Sequence, residues 1–245
     1  MTPPDPENPS LGRRLATAAV EQLIERSLRQ SFRRLVWVGP EPWQGPTPAL
    51  SPDRPLVLYT NHHSFYDGYF LWMLVRRMMD RPPLLWMNEW TRIPLFGPLG
   101  TLPFPPDDPA QRLATIRETA RRLRDRPEHV FLYFPEGELR SPDEGVAEFS
   151  RDAFRRLAKL LPDATQWWPV GLHVTWWGED RPTALFAGGT PHDTPTGDER
   201  DRLDDLLETL RATAPNTGRV LLDGRPSAHE RWDLSVLAPL FRRWT

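Results

Sequence analysis

Residues 56–79 read LVLYTNHHSFYDGYFLWMLVRRMM, and this stretch decides the fold. It begins with residues 56–60, a short apolar run that is typical of a buried strand. Residues 65–79 are apolar enough to form a buried helix. The polar residues between the two segments include two of the six histidines of the chain. A strand that leads directly into a helix is the unit from which α/β folds are built.

The same alternation continues along the chain. We predict strands at residues 35–38, 56–60, 84–87, 130–134, 167–177, 183–187 and 220–222, and helices at residues 65–79, 109–125, 149–161 and 198–212. Residues 92–100 are punctuated by proline and glycine and predict a loop. Residues 1–10 are rich in proline and polar groups and predict a disordered N-terminus. We therefore expect one α/β domain over residues 11–245, a largely parallel mixed sheet flanked by helices.

Residues 11–36 have helical spacing and predict an N-terminal amphipathic helix. Its apolar stripe is formed by Leu11, Leu15, Ala19, Leu23, Ile24, Leu28, Phe32 and Leu35. Arginines occupy much of the remaining surface, namely Arg13, Arg14, Arg26, Arg29, Arg33 and Arg34. Two interpretations stay open. The helix could lie on an anionic lipid surface, or it could cover one edge of the domain with a solvated arginine face.

Composition excludes several functional classes. The chain has no cysteine, which excludes a thiol nucleophile, a disulfide framework and thiolate metal sites. The formal net charge of -2 gives no general attraction to nucleic acid. No secretory signal and no long apolar run are present. We expect a cytoplasmic protein with at most a peripheral contact on the inner face of the membrane.

Two polar loops follow predicted strands. Residues 61–67, NHHSFYD, come after residues 56–60, and residues 135–141, PEGELRS, come after residues 130–134. Ligands of open α/β sheets gather at the carboxyl ends of the strands. If these strands are parallel, both loops open on the same edge of the sheet.

The first loop has the residues of a general base. His62 lies just before a helix N-terminus, where the helix dipole disfavours a cation, so the ring should stay neutral. Asp67 could hold one ring nitrogen and stabilise the imidazolium formed during a reaction. The chain has no G-x-S-x-G motif, so we expect the substrate to supply the attacking hydroxyl. The plain alternative is a helix capping box of Ser64 and Asp67.

A metal site formed by His62, His63 and Asp67 is a weaker alternative, because neighbouring side chains on a loop rarely converge on one ion. We expect no bound metal. In the second loop, Glu136 could accept a bond from a sugar or glycerol hydroxyl, and Arg140 could bind a phosphate. The alternative there is a surface turn in which Glu138 and Arg140 are solvated.

Four motifs occur together in a distinctive order. The motif N-H-x-S-x-x-D, which contains the spacing His-x4-Asp, is carried by Asn61, His62, Ser64 and Asp67. Residues 134–137 read FPEG and are followed by ELRS, and Pro94 with Gly97 forms P-x-x-G before a later block, WPVG, at residues 168–171. Within residues 30–191, these blocks resemble the glycerolipid acyltransferase family, to which the 1-acylglycerol-3-phosphate (lysophosphatidic acid) acyltransferases belong.

The resemblance implies an α/β acyltransferase of lipid metabolism and phospholipid biosynthesis. His62 would take a proton from the acceptor hydroxyl, and Asp67 would orient His62. The donor would be the thioester of acyl-CoA or of an acyl carrier protein, with no further cofactor. The expected substrate-binding residues are two that order the first loop and three that position the acceptor: Asn61, Ser64, Glu136, Gly137 and Arg140.

Departures from the family pattern affect the predicted acceptor. Arg140 lies one residue later than the family arginine, and Met87–Asn88 stand before Glu89 where the family has a lysine. Arg92 is the nearest basic substitute. With fewer groups to hold phosphate, a lysophosphatidate acceptor is in question. A thioesterase or deacylase that uses the same site, and a non-catalytic lipid-binding protein, remain as alternatives.

Overall fold

A computed structural model describes residues 11–45, 49–90, 92, 94–150 and 152–228. The predicted N-terminal segment 1–10 and the chain after residue 228 lie outside the described residues. The strands are β1 Arg34–Val38, β2 Leu56–Thr60, β3 Pro83–Met87, β4 Thr101–Pro103, β5 Val130–Tyr133, β6 Gln166–Thr175, β7 Thr183–Gly188 and β8 Arg219–Asp223. The α-helices are α1 Leu11–Ser31, α2 Asp67–Met73, α3 Pro109–Asp125, α4 Ala153–Ala158 and α5 Glu199–Ala212.

All eight strands belong to one sheet, with the order β4-β3-β5-β2-β6-β7-β1-β8. The five strands from β4 to β6 in this order are mutually parallel, and β7 pairs with β1 in parallel. Two pairings are antiparallel, the β6–β7 hairpin and the β1–β8 edge. The prediction of a largely parallel mixed sheet flanked by helices is therefore confirmed.

The central strands are apolar because helices cover both faces of the sheet. All five residues of β2 are buried. On one face, α1 and α2 contribute Leu28 and Phe70 to a cluster that includes Trp168. On the other face, α3, α4 and α5 supply Leu123, Phe154 and Leu207 to a second cluster. Burial on both faces explains the continuous apolar runs that the sequence shows in place of alternation.

The N-terminal helix differs from its prediction in length and in orientation. It ends at Ser31, and β1 begins at Arg34, so residues 32–36, which were predicted to be helical, are in fact connection or strand. The buried row is Val20, Ile24, Leu28 and the following Phe32. Leu15 and Leu23 point outward and are 62% and 56% exposed. The sequence offered two apolar rows, and the sheet covers only one face of a helix.

Three other segments also differ from their predicted secondary structure. The segment predicted as one helix at 65–79 is α2 followed by a π-helical turn at Leu74–Met78. The helix predicted at 149–161 contracts to α4. The loop predicted at 92–100 contains a 3-10 helix at Pro94–Leu99, and β4 follows it. None of the helices within the described residues combines the length and hydropathy needed to cross a bilayer.

Candidate active site

The sheet topology brings the two predicted loops together. Strands β2 and β5 are parallel neighbours, with Tyr59 opposite Tyr133, so the loops that follow them leave the same edge of the sheet. The backbone N–H of Arg140 donates to the carbonyl oxygen of His62 across 3.0 Å. The prediction that both loops open on one edge is confirmed.

His62 and Asp67 form a hydrogen-bonded pair. The His62 Nδ1 atom lies 3.0 Å from Asp67 Oδ2, with the His62 side chain 23% exposed and the Asp67 side chain 1% exposed. The same carboxylate oxygen accepts the backbone N–H groups of His63 and Ser64, each across 2.8 Å. These three donors compensate the buried charge, which would otherwise be costly away from water.

The pair fixes the orientation and the tautomer of the imidazole. A carboxylate only accepts hydrogen bonds, so His62 Nδ1 carries a hydrogen, and in the neutral ring Nε2 then keeps its lone pair. The Phe134 ring covers one face of the imidazole, with the ring centroids 4.3 Å apart. A neutral histidine held in this way has the protonation state of a general base.

The turn before α2 forms one of the two hydrogen bonds of the capping box that the sequence suggested for Ser64 and Asp67. Helix α2 begins at Asp67, later than a capping box at Ser64 would require. The Asp67 carboxylate accepts the Ser64 N–H, as in a capping box, but Ser64 Oγ accepts the N–H of Tyr66 across 3.1 Å. One carboxylate therefore both supports the helix start and holds the histidine.

Asn61 links the first loop to β6. Its side chain is fully buried, and its amide pairs with the backbone of Leu172 through two hydrogen bonds of 2.9 Å. The second amide hydrogen is directed at His63 Nδ1 across 3.1 Å. These contacts belong to a residue that orders the loop. A direct contact between Asn61 and a substrate stays a prediction.

Glu136 is buried and braces both loops. Its side chain has no exposed area. Oε2 accepts the N–H of His62 across 2.5 Å, and Oε1 accepts the N–H of Ala147 across 2.8 Å. A bond from Glu136 to a substrate hydroxyl stays a prediction. The observed contacts show the carboxylate holding the backbone of His62 and of Ala147.

Gly137 and Arg140 lie at the outer part of the second loop. Gly137 has a φ of +75°, a left-handed conformation that favours glycine. Arg140 Nη2 lies 2.6 Å from Glu138 Oε1, and Nη1 lies 3.5 Å from Glu144 Oε2. The Arg140 side chain is 39% exposed, so an incoming phosphate would compete with two carboxylates.

The sequence analysis missed the structural role of His63. Its side chain is 7% exposed. Because the amide nitrogen of Asn61 is a donor, His63 Nδ1 accepts, and Nε2–H donates to the carbonyl oxygen of Gly145 across 3.0 Å. His63 thus joins the loop after β2 to the segment around Gly145. The sequence shows His63 directly after His62, but this position does not reveal that its partner is the carbonyl oxygen of Gly145, 82 residues away.

A narrow apolar cavity lies beside the pair. Gly68, which follows Asp67, lines it together with aromatic and aliphatic side chains, including Tyr69, Trp72, Leu85 and Leu132. The cavity extends between α2 and β3. This end of the sheet therefore offers a polar pair and an adjoining apolar space.

Comparison with known proteins agrees with this arrangement. A sequence model of the acyltransferase family matches residues 44–173, which is more than half of the 245 residues and includes both loops. A search among curated proteins found no match. The matched segment runs from the connection before β2 into β6, and it contains His62, Asp67 and Glu136. The chain therefore belongs to the acyltransferase family, as the resemblance of its loops to the glycerolipid acyltransferases predicted.

Proposed function

We propose that this acyltransferase moves a fatty acyl group from acyl-CoA or an acyl carrier protein to a hydroxyl of a lysophospholipid or a related lipid or polar alcohol. The observation that carries the proposal is the buried Asp67 carboxylate bonded to His62 Nδ1. In the described part of the chain, no serine or threonine hydroxyl bonds to His62, and Ser64 Oγ is used by Tyr66. The substrate therefore supplies the attacking oxygen.

The proposed reaction has two steps. His62 Nε2 takes the proton of the acceptor hydroxyl while the hydroxyl oxygen forms a bond to the thioester carbonyl carbon. The resulting tetrahedral oxyanion collapses, the carbon–sulfur bond breaks, and the leaving thiolate takes the proton from the imidazolium. Asp67 stabilises the imidazolium between these steps through its bond to Nδ1.

The turn before α2 limits which backbone groups can stabilise the oxyanion. The N–H groups of His63 and Ser64 are bonded to Asp67, and that of Tyr66 is bonded to Ser64 Oγ. The Asp67 N–H donates to the Ser64 carbonyl oxygen. The Phe65 N–H makes no hydrogen bond with the described residues, and we assign it as the candidate oxyanion donor in this turn.

We assign the first carbons of the acyl chain to the apolar cavity, whose volume of about 40 Å³ is too small for a whole fatty acyl chain. Its wall begins at Gly68, next to the Asp67 that holds the base, and continues with Tyr69, Trp72 and Leu85. A Cβ atom added at Gly68 would lie 3.5 Å from Leu85 Cδ2, an ordinary contact across the cavity. A carbonyl carbon at His62 with the first carbons of its tail in the cavity uses both the polar and the apolar parts of the site.

The acceptor is assigned from the charge around the second loop. Arg140 pairs with Glu138 and Glu144, and Arg92 lies 3.1 Å from Glu89. Both guanidinium groups are already partly neutralised. We therefore propose an acceptor whose binding depends less on a free phosphate than that of a lysophosphatidate.

Replacement of His62 by alanine tests the proposal. Transfer of a labelled acyl group to a panel of lysolipids and alcohols should fall by about 10²- to 10⁴-fold, the usual contribution of a general base. His129→Asn, at the opposite edge of the sheet, is the matched control and should keep its activity. Retained transfer in the His62 variant would remove this residue from the mechanism.

Product analysis separates the alternatives. Free fatty acid as the sole product, with and without lysolipid, would identify a thioesterase or deacylase. No turnover on any acceptor, with intact lipid binding, would identify a lipid-binding protein. A cytoplasmic location with peripheral contact on the inner membrane face belongs to the proposal, supported by α1, where the exposed Leu15 and Leu23 share the helix with Arg14 and Arg26.

A further inference from the structure

The tip of the β6–β7 hairpin exposes two tryptophans. Trp176 and Trp177 are 56% and 57% exposed, whereas Trp37, Trp167 and Trp168 are almost completely buried. Trp177 has a φ of 45°, a left-handed conformation that bulky residues rarely adopt. The hairpin thus holds two large apolar rings in solvent, at some cost to its backbone. Such rings mark a contact surface.

This tip stands beyond the candidate active site on the same edge of the sheet. Strand β6 runs parallel to β2, and Leu172 of β6 is level with Asn61, whose side chain it binds. Four further residues lead from Leu172 to Trp176, a rise of about 13 Å along a strand. A flat partner that approaches this edge would therefore meet the hairpin tip.

An arginine-lined groove of about 570 Å³ lies at the same edge. We call it the arginine groove, and its charged lining residues are Glu25, Arg26, Arg29, Arg77, Asp223 and Arg225. Asp223 is in register with Arg34, which is itself opposite Thr183 at the end of the hairpin. The groove therefore adjoins the hairpin across the sheet edge.

Positive charge in the groove is only partly compensated. Arg29 donates to Glu25 across 2.7 Å and to the Asp223 carbonyl oxygen across 2.8 Å, and Arg77 lies 3.4 Å from Glu25. Among the described residues, no carboxylate lies within 4.0 Å of the guanidinium groups of Arg26 and Arg225. These two arginines are available to an external anion.

One contact joins the hairpin to the groove, and a second joins it to the segment that follows the groove residue Arg225. Arg181 donates to the carbonyl oxygen of Gln30, a groove residue, across 2.5 Å. Asp180, an acid beside the tryptophans, accepts the N–H of Ala228 across 2.6 Å. Glu179 is half-buried at the same turn. The tryptophans and the arginines therefore form one continuous surface.

We propose that the hairpin tip with Trp176 and Trp177, together with the arginine groove, is a docking surface for an anionic lipid bilayer. Indole rings favour the membrane interface, and guanidinium groups bind lipid phosphates as a fork. The orientation turns the edge that carries His62 toward the bilayer. The biological purpose of the surface rests on the proposed function, because a lipid acceptor would reach the site from the membrane.

Vesicle co-sedimentation of the full chain tests the docking surface. The His62→Ala variant is used as the background, so that no substrate turnover alters the lipids. It should bind phosphatidylcholine vesicles more tightly when they contain phosphatidylglycerol. Trp176→Ala with Trp177→Ala should weaken binding on the order of tenfold. Arg26→Gln with Arg225→Gln should also weaken it on the order of tenfold and should abolish the preference for phosphatidylglycerol.

Matched controls lie elsewhere on the surface. Leu160 is 46% exposed at the start of the connection into β6, on the opposite edge of the sheet. Arg155 and Arg156 on α4 are each 75% exposed. Leu160→Ala and Arg155→Gln with Arg156→Gln should leave vesicle binding unchanged. Circular dichroism of each variant verifies that it is folded.

Two results would overturn the docking surface. One is unchanged vesicle binding by the tryptophan pair variant, or an equal loss in the control variants. The other is self-association of the chain, measured by sedimentation velocity, that the tryptophan variant abolishes while vesicle binding persists; the surface would then join two copies. Acyl transfer between water-soluble short-chain substrates is measured separately, on the chain with His62 intact. Transfer by a chain that binds no vesicles contradicts only the docking surface. Vesicle binding that depends on the two tryptophans, without any transfer, contradicts only the proposed function.

Discussion

The backbone N–H of His62 donates to Glu136 Oε2 across 2.5 Å, although 74 residues separate the two in the chain. The backbone of His62, the candidate base, is therefore held by the loop that follows the neighbouring strand β5. The other oxygen of Glu136 accepts the N–H of Ala147. From these contacts we infer that Glu136 positions His62, a role that kinetics can distinguish from a contact with the acceptor.

Glu136→Gln separates these two roles. Glutamine keeps one acceptor oxygen and turns an NH₂ group toward a backbone N–H, so one of the two bonds is lost. We expect kcat to fall by about 10²-fold because a displacement of about 1 Å at the base has this effect. The KM for the acceptor should change little. Steady-state kinetics with varied acceptor concentration measures both.

The control for this variant is Glu138→Gln, at a side chain that is 65% exposed and that, among the described residues, bonds only to Arg140. It should keep its kcat. A large rise in the acceptor KM of Glu136→Gln, with kcat preserved, would assign Glu136 to the acceptor instead.

Asp67→Asn should disable His62 without removing its ring. One carboxylate oxygen now accepts from the ring and from two backbone N–H groups. In the asparagine variant, one neutral amide oxygen would have to accept all three hydrogen bonds, and it is a weaker acceptor for Nδ1–H than a carboxylate. The imidazolium also loses its counter-charge. We expect acyl transfer to fall by about 10⁴-fold, as for the aspartate of a serine triad. A transfer rate within tenfold of the native rate would contradict the pairing.

His63→Ala tests the connection between the two loops. The change leaves the Asn61 amide and the Gly145 carbonyl without their partner, and leaving a buried polar group unsatisfied costs about 1–3 kcal/mol. We expect the free energy of unfolding in urea to fall by that amount. His63→Gln offers an acceptor and a donor and should restore part of the stability. Equal stability of the two variants would argue against a contribution from these two hydrogen bonds.

Stability should decrease as the pH falls from about 7 to 5. Burial is the main cause that lowers the pKa of His129 and of His173 below the ordinary value of 6.5. Arg211 and His63 contribute at His173. Because the unfolded chain then binds more protons, the stability is fully present above pH 6.5 and is lost as the pH falls toward the folded pKa values. Urea unfolding across this range measures the slope.

Variants of the two buried histidines check the assignment. His129→Asn and His173→Asn should each flatten the pH dependence of the unfolding free energy between pH 7 and 5. Carboxylates with a lowered pKa, such as Asp198 beside Arg202, titrate below their ordinary value of 3.8 and contribute outside this window. An unchanged slope in both variants would place the titrating group elsewhere.

Helices and strands that are determined by their own residues could be predicted from the sequence. Leu56–Thr60 is a strand because its apolar run is short and ends in a polar turn, and α3 spans the predicted residues 109–125. The family motifs then identified the loop that contains His62. The parallel pairing of β2 with β5 followed from strands that alternate with helices.

Contacts between distant residues were beyond the sequence. Strand β4 has three residues, includes a proline and pairs only with β3, so it shows no apolar run. Helix α1 offered two apolar rows, and only packing against the sheet selects the one with Ile24. The partners that Glu136 bonds, and the Gly145 partner of His63, are backbone groups, which leave no trace in residue identity.

The clamp between Glu136 and the backbone of His62 also has a consequence for biosynthesis. A nascent chain that has emerged only as far as β4 already carries His62 and Asp67, but it lacks the carboxylate that positions them. The site is completed when β5 and the segment up to Ala147 have joined the sheet. An incomplete polypeptide on the ribosome would therefore hold His62 without the carboxylate that fixes its backbone.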